Sequence, residues 1–236
     1  MRRKLLVICL FLTSGCSTVA TQQRPEDYYS SQAGVSRAVE ATPLFKGDEK
    51  VIADEDIKRI LDYRYQFPAQ SRIAILPLSQ RAWWSTWSNE FAVMNDQVEK
   101  AFIDALRGSK KIFDASYIPS FLVPEKRTVP YLREAAARYQ ADLMLLYRSD
   151  CKTYEKFRVF SANETKAFCT VETALLDTRT GIIAFTSVTT ETFEAKKANQ
   201  DTNFTETVHK AEIEAIGKAL LASANKLVAF IDAPAK

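Results

Sequence analysis

Two apolar runs, each carrying one cysteine and placed symmetrically about a turn, constrain the fold of this chain more than any other feature. Residues 141–151 (ADLMLLYRSDC) and 167–177 (AFCTVETALLD) both read as strands. Ser161-Ala-Asn-Glu164 breaks the pattern between them. Opposed residues of an antiparallel hairpin are symmetric about its turn, and Cys151 and Cys169 centre on residue 160, beside that break. The pair is therefore predicted to face across the hairpin and form a disulfide. Such a bridge closes a loop of about 19 residues and contributes about 3 kcal/mol in the chain-entropy model. The sequence has no C-x-x-C, and only His209 could assist as a ligand, so no metal site and no cofactor are expected.

A structural disulfide requires an oxidising compartment, and the N-terminus predicts one. Met1-Arg2-Arg3-Lys4 is a basic leader, and Leu5–Leu12 is an unbroken apolar run. Eight residues are too few for a bilayer span, which takes about 20, but they suit the hydrophobic segment of an export signal. Thr13-Ser14-Gly15-Cys16 resembles the bacterial lipobox, with Thr13 where Leu is usual. The expectation is a signal peptide over residues 1–15 that carries Cys9 away. Cys16 then becomes an acylated N-terminus bearing diacylglyceryl and N-acyl chains such as palmitate. The alternative is an ordinary signal cut near Ala20. Ser17, rather than Asp, resembles the sorting signal for the outer membrane of a Gram-negative bacterium.

This leader also disposes of the apparent basicity. The chain has 236 residues with 32 Lys+Arg, 29 Asp+Glu and a formal charge of +3. Without Arg2, Arg3 and Lys4 the basic count falls from 32 to 29, equal to the acidic count. No nucleic-acid partner is implied.

Residues 16–50 lack sustained periodicity and are expected to be a lipid anchor and flexible tether. Residues 51–236 are expected to form one periplasmic α/β domain, with its core at about 70–231. It opens on a short acidic-started helix near Ala53–Leu61. Arg72–Leu78 reads as a strand buried on both faces. Phe91, Met94, Val98, Ala101, Phe102 and Ala105 recur at helical spacing, ending near Gly108. Ile112–Ile118 is a strand, and Val129–Tyr139 is a helix with Thr128 as N-cap and Pro130 in its first turn. The two cysteine-bearing strands follow, then the turn Asp177-Thr-Arg-Thr-Gly181, a third strand over Ile182–Phe193 and a helix over Phe204–Ile231. The fold class is α/β: one mixed sheet, βαβα then a three-strand antiparallel meander and a long C-terminal helix, covered by helices.

The strand Arg72–Leu78, the strand opening on Ala141-Asp142 and the turn Asp177-x-x-Thr-Gly181-Ile resemble the CsgG/LpoB-like group of outer-membrane lipoproteins. The periplasmic domain of that group is similar to the TolB N-terminal domain. The resemblance spans about residues 70–231 and implies either a secretion channel or an activator of envelope synthases. A channel needs amphipathic transmembrane hairpins, whereas the segments here are accounted for by a soluble sheet, so the activator-like pattern fits better.

Catalytic signatures are missing: there is no G-x-S-x-G, no Gly-rich phosphate loop and no H-E-x-x-H. His209, with Glu206 and Glu212 at helical spacing, reads as a solvated ion pair, so no catalytic residue is assigned. Trp83, Trp84 and Trp87 hold every tryptophan within five residues. They read either as a cap on the core or as a partner-binding patch. The expectation is a non-catalytic, lipid-anchored outer-membrane protein, facing the periplasm, whose head binds and regulates or assembles another envelope protein. The alternative is a homo-oligomeric subunit of an outer-membrane secretion or assembly complex, and a hydrolase ranks below both.

Overall fold

The computed structural model describes residues 28–30, 44, 52–78 and 89–233. In chain order its elements are β1 (Tyr28–Ser30), α1 (Asp54–Asp62), β2 (Ser71–Pro77), α2 (Asn89–Leu106) and β3 (Ile112–Tyr117). A short 3-10 turn (Ser120–Leu122) leads to α3 (Val129–Arg138), β4 (Leu143–Phe157), β5 (Glu164–Asp177), β6 (Ile183–Lys196) and α4 (Phe204–Asp232). From α1 onward the order of helices and strands predicted from periodicity is the order observed. The sheet runs β3-β2-β4-β5-β6. Its β2 is parallel to β3 and to β4, while β4, β5 and β6 form the antiparallel meander.

Side chains alternate across a strand, and here the two sets meet different helices. Leu143, Leu145, Val171 and Leu175 pack with Phe102 and Leu106 of α2 and with Leu220, Ala224 and Leu227 of α4. Met144, Leu146 and Leu176 face the other way, onto Leu132, Ala135 and Ala136 of α3. β2 feeds both layers, with Ile73 and Ile75 in the first and Ala74 and Leu76 in the second. This explains its unbroken apolar run. In α2 the predicted stripe holds except at Ala101, which is exposed, while Leu106 is fully buried.

Cys151 and Cys169 stand directly opposite in the β4–β5 register and are joined in a disulfide. Small residues let α4 settle onto this point: Cys169 and Ala167 pack against Ala211 and Ala215.

The residues that carry the family resemblance form a knot at one end of the sheet. Asp142 accepts hydrogen bonds from the Arg72 backbone N–H at 3.0 Å and from the Arg179 guanidinium at 2.8 Å. Asp177 accepts from the Thr180 N–H at 2.6 Å and the Thr180 hydroxyl at 2.8 Å, closing the turn to β6. Gly181 sits at φ 79°, the left-handed conformation that glycine adopts without strain. Tyr65 donates to the second Asp177 oxygen at 3.0 Å. The motif residues therefore hold the fold together.

Three expectations need adjustment. Thr128 takes the expected N-cap position of α3, but its side chain makes no capping hydrogen bond. Leu44 O takes the Val129 N–H and Pro130 has none to give, so little is left for a cap to accept. The cap that does form is on α4, where Asn203 Oδ1 accepts from the Glu206 N–H at 2.9 Å and Glu206 returns a bond from the Thr202 N–H. Second, the segment read as tether contains β1, which pairs antiparallel with the far end of β4, Tyr28 opposite Phe157 and Ser30 opposite Glu155. A three-residue edge pairing is made by backbone and leaves no apolar pattern to read. Third, His209 is only a quarter exposed rather than solvated, its Nδ1 3.0 Å from Glu212. The proposed signal peptide and Cys16 lie outside the described residues.

Candidate functional site

The three meander strands are 15, 14 and 14 residues long, about twice the length of β2 and β3. That difference creates the site. Over the first half of β4 both faces of the sheet are buried, one by α4 and one by α3. Beyond Arg148 only the α4 side stays covered, and burial alternates residue by residue along β4 and β5. The even-numbered residues of β4, β5 and β6 in this stretch face away from α4. Among the described residues no helix covers them.

Cross-strand pairs pave this face. Arg148 Nε donates to Glu172 at 2.7 Å, and the Thr170 and Thr190 hydroxyls meet at 2.8 Å. Tyr154 and Phe168 stack edge to face with centroids 5.5 Å apart. The Lys166 ammonium lies 5.3 Å over the Phe168 ring and donates to Glu194 at 2.6 Å. Glu164 is flanked by Lys196 at 3.0 Å and Arg158 at 2.8 Å. The hydrogen bond from Lys196 leads the interactions that hold the Glu164 carboxyl below the usual range. Together Lys152, Tyr154, Lys156, Lys166, Phe168 and Lys196 border a shallow concavity of about 840 Å³.

An aromatic pair bordered by lysines, with carboxylates between them, suits recognition of an extended partner by stacking, ion pairing and hydrogen bonding. Among the described residues it places no activated nucleophile. The only histidine is on the opposite face, at the start of α4. There the Glu155 carboxyl, packed under the helix, is pushed up by burial and by the neighbouring Glu212. Next to this cluster Lys210 is clamped by Asp201 at 2.7 Å, Glu90 at 2.9 Å and Glu206 at 3.2 Å. Among the described residues no group of His, Cys, Asp and Glu could hold a metal ion, and no helix is long and apolar enough to cross a membrane.

Of the candidate site residues read from the sequence, the structure joins Cys151 to Cys169, and they lie behind the face rather than on it. Trp83, Trp84 and Trp87 lie outside the described residues. The described chain leaves at Leu78 and resumes at Asn89, one residue before the Glu90 that pairs with Lys210. Sequence reasoning missed Tyr154, Lys166 and Phe168. The signal available was the alternation around Ala167 and Cys169 in 164–170, whereas Lys152-Thr-Tyr-Glu-Lys156 carries no apolar alternation to read.

No protein-family model and no curated protein matches this sequence. Solved structures do match. A minor lipoprotein from Acinetobacter baumannii is similar at 9% identity and TM-score 0.34, over 68% of this chain and 89% of that one. The PelC dodecamer from Paraburkholderia phytofirmans is similar at 14% and 0.29, over 72% and 91%. The lipoprotein GNA1162 from Neisseria meningitidis is similar at 12% and 0.29, over 68% and 99%. TM-scores of this size carry no function from those proteins to this one.

Proposed function

We propose that this chain is a lipid-anchored protein of the bacterial outer membrane whose α/β head docks another envelope protein through the uncovered face of β4, β5 and β6. The lipobox-like Thr13-Ser14-Gly15-Cys16 supports the anchor. The observation that carries the docking role is the half-covered meander itself. Three strands extend well past the helix that would bury their second face, and they present Tyr154 and Phe168 among charges. A non-catalytic head that regulates or assembles its partner is the role such a face supports. Photo-crosslinkers at Tyr154, Phe168 and Thr190 in intact envelopes are expected to capture one discrete envelope protein. A crosslinker at Lys218, on α4, should not capture it. Equal capture from both sides, or none from the sheet face, would overturn the reading.

A second reading rests on the edges of the same sheet. Among the described residues β6 pairs only with β5, and β4 between Arg148 and Tyr154 has no strand beside it on its other side. Free edges of this length invite addition of another strand. An oligomeric subunit of a secretion or assembly complex would use them. Crosslinks that join only copies of this chain, together with a ring-sized particle in solution, would favour it.

A further inference from the structure

The end of the meander where β4 turns into β5 carries two apolar side chains that the docking face does not use. Val159 is 75% exposed and its neighbour Phe160 is 96% exposed. They sit at the outermost point of a braced loop. The strands stay paired out to Lys156 opposite Glu164. Asn163 Oδ1 accepts from the Arg158 N–H at 3.0 Å, and the Arg158 side chain donates to Glu164 at 2.8 Å. The two apolar side chains are thus held outward by a fixed base. On the strands next to them stand Lys156, Arg158, Lys166 and Lys196, with Arg158 and Lys196 paired to Glu164 and Lys166 paired to Glu194, so the described cations there outnumber the carboxylates that pair with them.

The path of the N-terminal chain adds an independent observation. β1 joins the sheet at this same end, with Tyr28 opposite Phe157, the residue before Arg158. Cys16 lies only twelve residues before Tyr28, a reach of about 40 Å at full extension. An acylated Cys16 would therefore hold the hairpin end nearer the lipid than the opposite end of the sheet. Two adjacent side chains are far too small for a protein interface, which needs about 800 Å² per partner. They are enough for a shallow insertion beside an anchor that already holds the chain, with basic groups level with the head groups.

We propose that the β4–β5 hairpin tip is a second, shallow contact with the lipid surface, in which Val159 and Phe160 enter the acyl boundary and the flanking lysines and Arg158 meet anionic head groups. This rests on the lipid-anchor reading above and sharpens it. The head stands on its hairpin with the long strands rising from the membrane and the docking face turned sideways. It does not swing on a long tether.

The test uses the mature lipidated protein in vesicles containing anionic phospholipid, with an environment-sensitive fluorophore on Ser161→Cys. The same label on Lys110→Cys, at the opposite end of the sheet, is the control. The expected result is a blue shift and protection from aqueous iodide at position 161 only. In the Val159→Asp/Phe160→Asp double variant the protein should stay vesicle-bound and keep its melting temperature while the shift is lost. Vesicle-bound protein with no shift at position 161 overturns the proposal and leaves the anchor standing. A shift that occurs without vesicles and grows with protein concentration assigns the tip to a second copy and also overturns it. A mass spectrum showing no acyl chains on Cys16 overturns the anchor reading, and this proposal with it.

Discussion

Gly217 shows how one missing side chain sets the spacing of two helices. A Cβ built there would stand 2.8 Å from Val98 Cγ2, so α2 and α4 touch through the absence of a methyl group. In an exposed helix interior Gly→Ala stabilises by about 1 kcal/mol. Here the added methyl meets a β-branched side chain with one strongly preferred rotamer, and overpacking of this kind costs about 1–3 kcal/mol. Gly217→Ala is therefore expected to lower the urea midpoint. In a Val98→Ala background the same substitution should become neutral or stabilising. Additive effects in this pair would show that the helices have room to separate. Sequence could not reveal this contact, because a glycine inside a helical pattern shows only that something comes close. Gly181 was legible for the opposite reason, since its role is local: the turn Asp177–Gly181 states its own geometry, and the residue sits at φ 79°.

At the scale of elements, the hairpin was readable wherever chemistry marked both strands. Cys151 and Cys169 fixed its axis and register, and the structure places them opposite each other. What could not be read was how far the strands continue. Past Cys151 the α4-facing positions are Thr153 and Glu155, both buried. Their polarity hides the alternation that would have extended the strand to Phe157. The candidate face was lost with that extension, since its residues count as a surface only once the strands beneath them are known. The bridge sits at the start of this polar stretch, where apolar packing thins out. Replacing both cysteines by Ala should cost about 3 kcal/mol. The loss should fall unevenly: hydrogen exchange is expected to rise most from Lys152 to Phe168 and little in Leu143–Leu146, which both helical layers bury. Uniform loss of protection would mean that the long strands unfold with the core as one unit.

The whole molecule opposes two kinds of carboxyl, and its stability should carry both signatures. Asp114 and Asp201 pay desolvation, which raises a carboxyl. Hydrogen bonds from Arg107 and Arg72 to Asp114, and from Lys210, Thr207 and the Ala198 N–H to Asp201, outweigh it and hold both below the ordinary value of 3.8. The folded chain binds fewer protons at these sites than the unfolded chain. Their stabilisation is present above the ordinary value and is lost as pH falls through their folded values. Glu155 is the reverse case. Burial, then the charge of Glu212, raise its carboxyl above 4.5, so the folded chain keeps a proton that the unfolded chain has released. Stability from this group is present at low pH and declines as pH rises from 4.5 through the folded value. The sum is a maximum on the acid side of neutrality, with a fall on either side. Glu155→Gln should remove the decline on the neutral side, raising stability there, and leave the acid limb unchanged. Asp201→Asn should flatten the acid limb and cost stability at neutral pH, because it strips a buried partner from Lys210. Chemical denaturation of the three proteins between pH 3 and pH 8 decides the point. A neutral limb that survives Glu155→Gln would assign it to another group. The location of Glu155 gives this balance a structural consequence, since it lies opposite Ser30 in the β1 pairing and under the first turns of α4. Its ionisation therefore places a second charge beside Glu212 at the hairpin end, where β1 enters the sheet, far from the Asp142–Asp177 knot.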